Sequence, residues 1–260
     1  MLLDMIHGTI DRRVLLNYRF DPQILKKILP KPFRPKLYQG YGIGGVCMIR
    51  FAGLRPRYVP AILGVSSENA AHRIAVEWEQ DNERKEGVYI PRRDTNSWFN
   101  KTLGGKVFPG IFNRSKFIVK ETPSSVAIQI IRSDGQQQID FSGKITDTMP
   151  RGSIFPSLDE AAGFFSLGAT GYSATHTEGF YHGMELKTLQ WSIEPMTIEQ
   201  ARSNFYDNQE IFPSGSIHLD SALIMRNIPH EWHSRHDLYI NKNGQSLSKY
   251  RKNLGQVVKK

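Results

Sequence analysis

Residues 38–51 read Tyr38-Gln39-Gly40-Tyr41-Gly42-Ile43-Gly44-Gly45-Val46-Cys47-Met48-Ile49-Arg50-Phe51. Four glycines in the first half of this stretch suggest a phosphate-binding loop, but such a loop needs a strand before its glycines and a helix after them. Here Val46 to Phe51 continues as apolar β sequence. The whole stretch therefore reads as a strand. Its Gly42, Gly44 and Gly45 mark a bulge or a place where another backbone comes close.

The neighbouring segments extend that reading. Upstream, Arg12 to Phe20 alternates loosely and ends at Asp21-Pro22, an N-cap followed by proline in the first helical position. Ile24, Leu25, Ile28 and Leu29 form one apolar helical stripe, and Pro30 and Pro32 end it. Downstream, strands are expected at Ala70 to Glu79, Gly87 to Pro91, Ser115 to Glu121, Ser125 to Arg132 and Gln138 to Thr146. Turn signals at Asp81-Asn82, Pro123 and Asp134-Gly135 separate them, and Val126 to Arg132 with Gln138 to Lys144 is the best hairpin. Ser157 with Glu160 predicts a helix through Leu167, closed by Gly168. Thr197 with Gln200 predicts another before Ala201, Phe205 and Tyr206, flanked by strands Met184 to Ile193 and Ser216 to Met225. The result is a mainly β, α+β chain with an antiparallel, meander-like succession of strands.

Composition agrees. The 260 residues are 39% hydrophobic, enough for a core, and 22 Gly, 14 Pro and 11% aromatic residues suit many turns and strands. Neither an apolar run of about 18 residues nor a signal-peptide core occurs, so no membrane association and a soluble, cytoplasmic protein are expected. The single Cys47 excludes an internal disulfide and a zinc site built mainly from thiolates. The net charge of +9 invites a nucleic-acid reading, but Lys242, Lys249, Arg251, Lys252, Lys259 and Lys260 lie in a tail without acidic residues. The second basic cluster, Lys26 to Lys36, lacks interleaved exposed aromatics, so nucleic acid is not an expected partner. One domain over 1–241 and a loosely packed basic tail over 242–260 is the expected division, and a homo-oligomer remains open.

Several chemical classes fall away on spacing. In His230-Glu231-Trp232-His233-Ser234-Arg235-His236 the first two histidines are three apart, not the four of a zincin helix, and Pro229 precedes them. No bound metal or other cofactor is expected, and the segment reads as a polar loop around Trp232. No Gly-x-Ser-x-Gly elbow occurs, and Cys47 among Val46, Met48 and Ile49 reads as a buried, inert thiol. Ser66-Ser67-Glu68-Asn69-Ala70-Ala71-His72-Arg73 is different, because polar residues enter a β-patterned region. Alternation puts Glu68 and His72 on one face and Asn69 and Arg73 on the other. A carboxylate and an imidazole directed inward would be costly unless they served a ligand or each other; the alternative is an outward, salt-bridged face.

Arg19-Phe20-Asp21-Pro22 through Leu29-Pro30, Phe51 with Leu54-Arg55-Pro56, Glu68-Asn69 and Gly87-Val88-Tyr89 together resemble the bacterial YqjF-like family. That group belongs to the acetoacetate decarboxylase-like superfamily. Gly183 to Leu186, Phe212 to Gly215, Asp220 to Leu223 and Arg226 to Trp232 carry the resemblance through the C-terminal half. It implies a cone-like antiparallel β-barrel with peripheral helices and an internal cavity. In decarboxylases of the superfamily the Schiff-base lysine follows a Gly-aromatic-Pro sequence; here Val107-Phe108-Pro109 is followed by Gly110, and Lys106 and Lys116 are expected at the surface. Glu68 resembles the superfamily's cavity glutamate.

The expected function is the binding of a small carboxylate- or carbonyl-bearing molecule. Arg50, Arg55, Arg73 or Arg93 supplies the anion contact, Glu68 hydrogen-bonds a polar group, and His230 is a further contact. An enzymatic version uses Glu68 and His72 as acid and base in a decarboxylase-like lyase or hydrolase acting on a ketoacid-like substrate. The alternative is a non-catalytic binding or interaction protein.

Overall fold

The computed structural model describes residues 5–56, 58–80, 82–97, 110–240 and 246–249. In chain order its elements are Met5–Phe20 (β1), Pro22–Ile28 (α1), Arg34–Pro35 (β2), Leu37–Tyr38 (β3), Tyr41–Pro56 (β4), Val65–Gln80 (β5), Glu83–Thr95 (β6), Phe112–Glu121 (β7), Ser125–Arg132 (β8) and Gln137–Ile145 (β9). There follow Leu158–Ser166 (α2), Thr170–Ala174 (β10), Phe180–Thr188 (β11), Glu194–Ser203 (β12), Ile217–Ser234 (β13), Asp237–Ile240 (β14) and Ser246–Lys249 (β15). The chain is mainly β, as its sequence suggests.

All these strands form one sheet that closes on itself twice. β13, β1, β4, β5 and β6 lie side by side and form a wall. On one side β7, β8, β9 and β12 lead from β6 back to β13; on the other, β10 and β11 do the same. Two rings thus share one wall, and the wall is buried on both faces. This explains the near-continuous apolar runs Val14-Leu15-Leu16, Val46-Cys47-Met48-Ile49 and Ala222-Leu223-Ile224-Met225, since a strand covered on both sides has no polar face. Val14, Leu16, Val46, Met48 and Ile224 enter one core with Ile128 and Phe141. Leu15, Cys47, Ile49 and Leu223 enter a second core with Phe155 and Phe165, on and near α2.

The glycines of β4 follow from this crowding. A Cβ on Gly45 would stand 2.0 Å from the Leu16 carbonyl oxygen, and one on Gly44 would stand 2.9 Å from that of Arg73. The Gln39-Gly40 turn, with positive φ at both residues, separates the short β3 from β4, so the strand expected from Tyr38 is a hairpin.

Other differences have physical causes. The strands are not all antiparallel: β6 pairs in parallel with both β7 and β10, because closing two rings from one edge strand requires crossovers. The helix expected after Thr197 is part of β12, whose backbone from Met196 to Ser203 is paired with β9, a pairing that overrides the local capping signal. The loop expected at His230 is the end of β13, held between β1 and β11. Asp21 caps α1 through its bond from Gln23 N–H, and Ser157 accepts from Glu160 N–H at the start of α2, as their sequences predict. Of the segment 242–260, Ser246–Lys249 pairs with β14 and the remainder lies outside the described residues. Among the described residues no helix is long and apolar enough to cross a membrane.

Candidate functional site

Within the smaller ring, the second face of the wall and α2 enclose a cavity of about 100 Å³, room for a small organic acid or several waters. Its floor follows from strand register. Leu15, Cys47, Ala71 and Arg93 are successive cross-strand neighbours from β1 to β6; Arg13, Ile49, Asn69 and Thr95 form the next row. Phe164, Phe165 and Leu167 close one side, while Met184, Leu186 and Trp232 complete the apolar lining.

Three guanidiniums enter this apolar space. Arg73 donates from Nη2 to Asn17 Oδ1 at 2.6 Å and lies 4.9 Å over the Phe165 ring, while its buried Nε meets no acceptor among the described residues. Arg93 donates from Nε and Nη2 to Ser173 Oγ at 3.1 and 3.0 Å, beside Phe112. Burial lowers both to about 10, so both stay charged at neutral pH. Arg13 donates from Nε to Cys47 Sγ at 3.3 Å and faces Met225 Sδ and the Trp191 ring, all weak partners for a cation. Lys36 also lines the cavity, but its ammonium is paired with Glu86. Among the described residues no carboxylate or imidazole lines the cavity.

The opposite face of the same strands has the reverse balance. Arg226, Arg12, Arg50 and Glu68 are neighbours across β13, β1, β4 and β5. Glu68 accepts from Arg12 Nη2 at 2.6 Å and Arg50 Nε at 2.7 Å. Glu121 reaches Arg12, Arg50 and Arg226 at 3.1–3.2 Å, and Asp11 takes Arg50 at 3.1 Å. Three guanidiniums meet three carboxylates.

A family model described as DUF2071, an uncharacterized conserved protein (COG2071), matches residues 8–222. The chain belongs to the DUF2071 family. Its fold is that of the acetoacetate decarboxylase-like superfamily, in agreement with the YqjF-like resemblance. The acetoacetate decarboxylase of Legionella pneumophila superposes with a TM-score of 0.57 at 10% identity, covering 94% of this chain and 88% of that one. An acetoacetate decarboxylase-like enzyme from Sphingomonas wittichii gives 0.56 at 12%, covering 94% and 92%. The enduracididine biosynthesis enzyme MppR, complexed with pyruvate, gives 0.56 at 8%, covering 95% and 91%. Among curated proteins, none matches the sequence.

In this DUF2071 chain the sequence-expected site residues divide between the two faces. Arg73 and Arg93 line the cavity together. Glu68 and His72 lie on the other face of β5, because strand alternation separates them from Arg73 and the cavity lies on the Arg73 side. His72 is fully buried, its Nε2 3.1 Å from Ser203 Oγ, its ring against Phe205 and Tyr206; burial, with a smaller contribution from Arg92, lowers its pKa to about 3. Arg50 is held in the ion-pair cluster. Arg55 donates to the Gly53 carbonyl at the end of β4, away from the cavity lining. His230 is buried on the cavity's side of the wall, against Phe51 and Trp232 of the lining but not itself in it, and burial lowers its pKa to about 4.

Sequence reading missed Arg13 and the position of Cys47. The signal for Arg13 was present: Arg12 and Arg13 are adjacent on one strand and must point to opposite faces. Gly110, expected in the lysine's place, lies against the cavity's arginine. A Cβ there would stand 2.6 Å from Ser173 Cβ and 3.5 Å from Arg93 Nε, and φ is +93°. No larger side chain fits without displacing them. Lys116 is exposed, as expected; Lys101 and Lys106 lie outside the described residues.

Proposed function

We propose that this protein binds a small carboxylate in the cavity of the smaller ring, with Arg73 and Arg93 as its anion contacts. The observation that carries this reading is the pair of guanidiniums, Arg73 buried and Arg93 half-buried, facing an apolar cavity without a carboxylate among its described lining residues. Holding a cation in apolar surroundings is costly unless an anion meets it, and arginine binds carboxylates through two parallel donors. The pyruvate complex of MppR, a protein of the same fold, supports a ligand of this class.

Chemistry through Glu68 receives no support from its position, since its carboxylate is engaged by Arg12 and Arg50 on the far face. Imine chemistry at the position of Gly110 receives none either, because glycine brings no amine and the space is filled by Ser173. The reading is therefore ligand binding without a Schiff-base lysine or a cavity acid–base pair. The test is calorimetric titration with pyruvate and acetoacetate, backed by thermal shift. Saturable binding that Arg73→Gln and Arg93→Gln each weaken by about tenfold or more is expected, as is an unchanged intact mass after borohydride reduction with pyruvate. Absence of binding by either acid would overturn the reading, and a reduced adduct on Lys101, Lys106 or Lys116 would replace it with an imine-forming enzyme.

A further inference from the structure

Arg13 gives the cavity more positive charge than one carboxylate can answer. It enters from β1, at the opposite side of the wall from Arg93 on β6, and the intervening strands place these backbones roughly 14 Å apart. Cys47, on β4, shares the row of Arg93, and Arg13 leans over from the next row to within 3.3 Å of its sulfur. Arg73 approaches from β5, where its backbone is paired with Gly45. Three cations thus surround one apolar space from both sides. Among the described residues Arg13 is met by two sulfurs and an indole ring and by no carboxylate.

Among the described residues no carboxylate of the cavity lining makes up the imbalance. Residues 98–109, which precede Gly110, contain Lys101 and Lys106 but no aspartate or glutamate, so this stretch can add no carboxylate to the cavity. The ion-pair cluster across the wall shows what this sheet looks like where arginines serve structure: each guanidinium has a carboxylate within 3.2 Å.

We infer that the ligand of this cavity is a small dicarboxylate, one carboxylate held by Arg73 and Arg93 and the other by Arg13. The inference rests on the carboxylate-binding reading and adds a second anionic subsite to it. The hydrocarbon between the two carboxylates lies over Cys47 and Ile49, against Phe51 and Leu186.

The test compares acids of matched length that differ in one charged end: 2-oxoglutarate with 2-oxopentanoate, and glutarate with pentanoate, each titrated calorimetrically against the full chain. The diacid of each pair should bind at least about tenfold more tightly, the gain of one charge-assisted contact. In Arg13→Gln this ratio should fall to about one, and in Arg13→Lys, which keeps the charge, it should stay above one. Equal affinities within each pair, or a ratio that survives Arg13→Gln, would overturn the inference while leaving monocarboxylate binding in place. Inorganic phosphate binding as tightly as the diacids would also overturn it, in favour of a compact dianion. If no acid binds, the carboxylate reading falls with it. The wild-type ratio decides the matter even if a variant fails to fold.

Discussion

The two faces of the β1–β4–β5 wall carry the same residue type in opposite circumstances. On one, Arg12, Arg50 and Arg226 are matched by Asp11, Glu68 and Glu121; on the other, Arg13, Arg73 and Arg93 have no carboxylate among the described residues. Adjacent positions, Arg12 and Arg13, supply one guanidinium to each. A balanced cluster satisfies itself and is costly to break, because each member removed leaves a buried charge behind. An unbalanced set is costly as it stands and gains from an external anion. The difference separates a structural role from the proposed binding role, and it does so by counting partners rather than by burial, since Arg12 and Arg73 are both buried.

The sharpest way to break the comparison is on the balanced face. Glu68→Gln removes the closest partner of the fully buried Arg12 and should cost about 3 to 5 kcal/mol, a fall in Tm on the order of 10 °C, measured by urea and thermal unfolding. Affinity for cavity ligands should change far less. If Glu68→Gln abolished binding and spared stability, the two faces would have to exchange roles.

A second effect is shared by both faces. Burial holds His72 near 3 and His230 near 4, below the ordinary 6.5. Between those values the unfolded chain binds protons that the folded chain refuses. The stability from keeping both imidazoles neutral is therefore whole above about pH 6.5 and drains as pH falls. From pH 7 to pH 5 the loss should be about 2 kcal/mol per histidine, read from urea midpoints. His72→Asn and His230→Asn should each flatten that slope.

Gly110→Ala tests the cavity side. With φ at +93° and Ser173 Cβ at 2.6 Å, alanine should cost about 1 to 3 kcal/mol and, by shifting the Arg93–Ser173 contact, weaken carboxylate binding as well. The smallest effect is expected from Arg73→Gln or Arg93→Gln without ligand. Losing a hydrogen bond is offset by removing an unanswered charge, so unfolding free energies should stay within about 1 kcal/mol of wild type. A loss comparable to that of Glu68→Gln would mean that these arginines are structural too.

The sequence makes the strands legible where only one face is buried. Ser125–Arg132 alternates strictly, and both its bounds and its partner Gln137–Ile145 follow from that period and the Asp134-Gly135 turn. The wall is harder. Val46-Cys47-Met48-Ile49 reads correctly as a strand, but an unbroken apolar run does not say which side chain enters which core. Glu68 and Arg73 were both visible as polar intrusions, and their separation by alternation was readable. That the cavity lies on the Arg73 side depends on β10 and β11 crossing back to β13, a long-range pairing that no local signal specifies. β12 shows the same limit: its capping box is a genuine helix signal, overruled by the distant strand β9 that pairs with its backbone.

The shared wall also limits how this architecture can diversify. A residue inserted in or deleted from the middle of β4 would shift every side chain beyond it to the opposite face, sending Cys47-side groups into the larger core and Met48-side groups into the cavity. Both compartments would be lost at once. Changes of chain length must therefore collect in the connections, such as the segments around α2 that cover the cavity, while the wall itself can vary only by substitution. New ligand preferences should arise from residues exchanged in place along β1, β4 and β5 or from a lengthened or shortened cover.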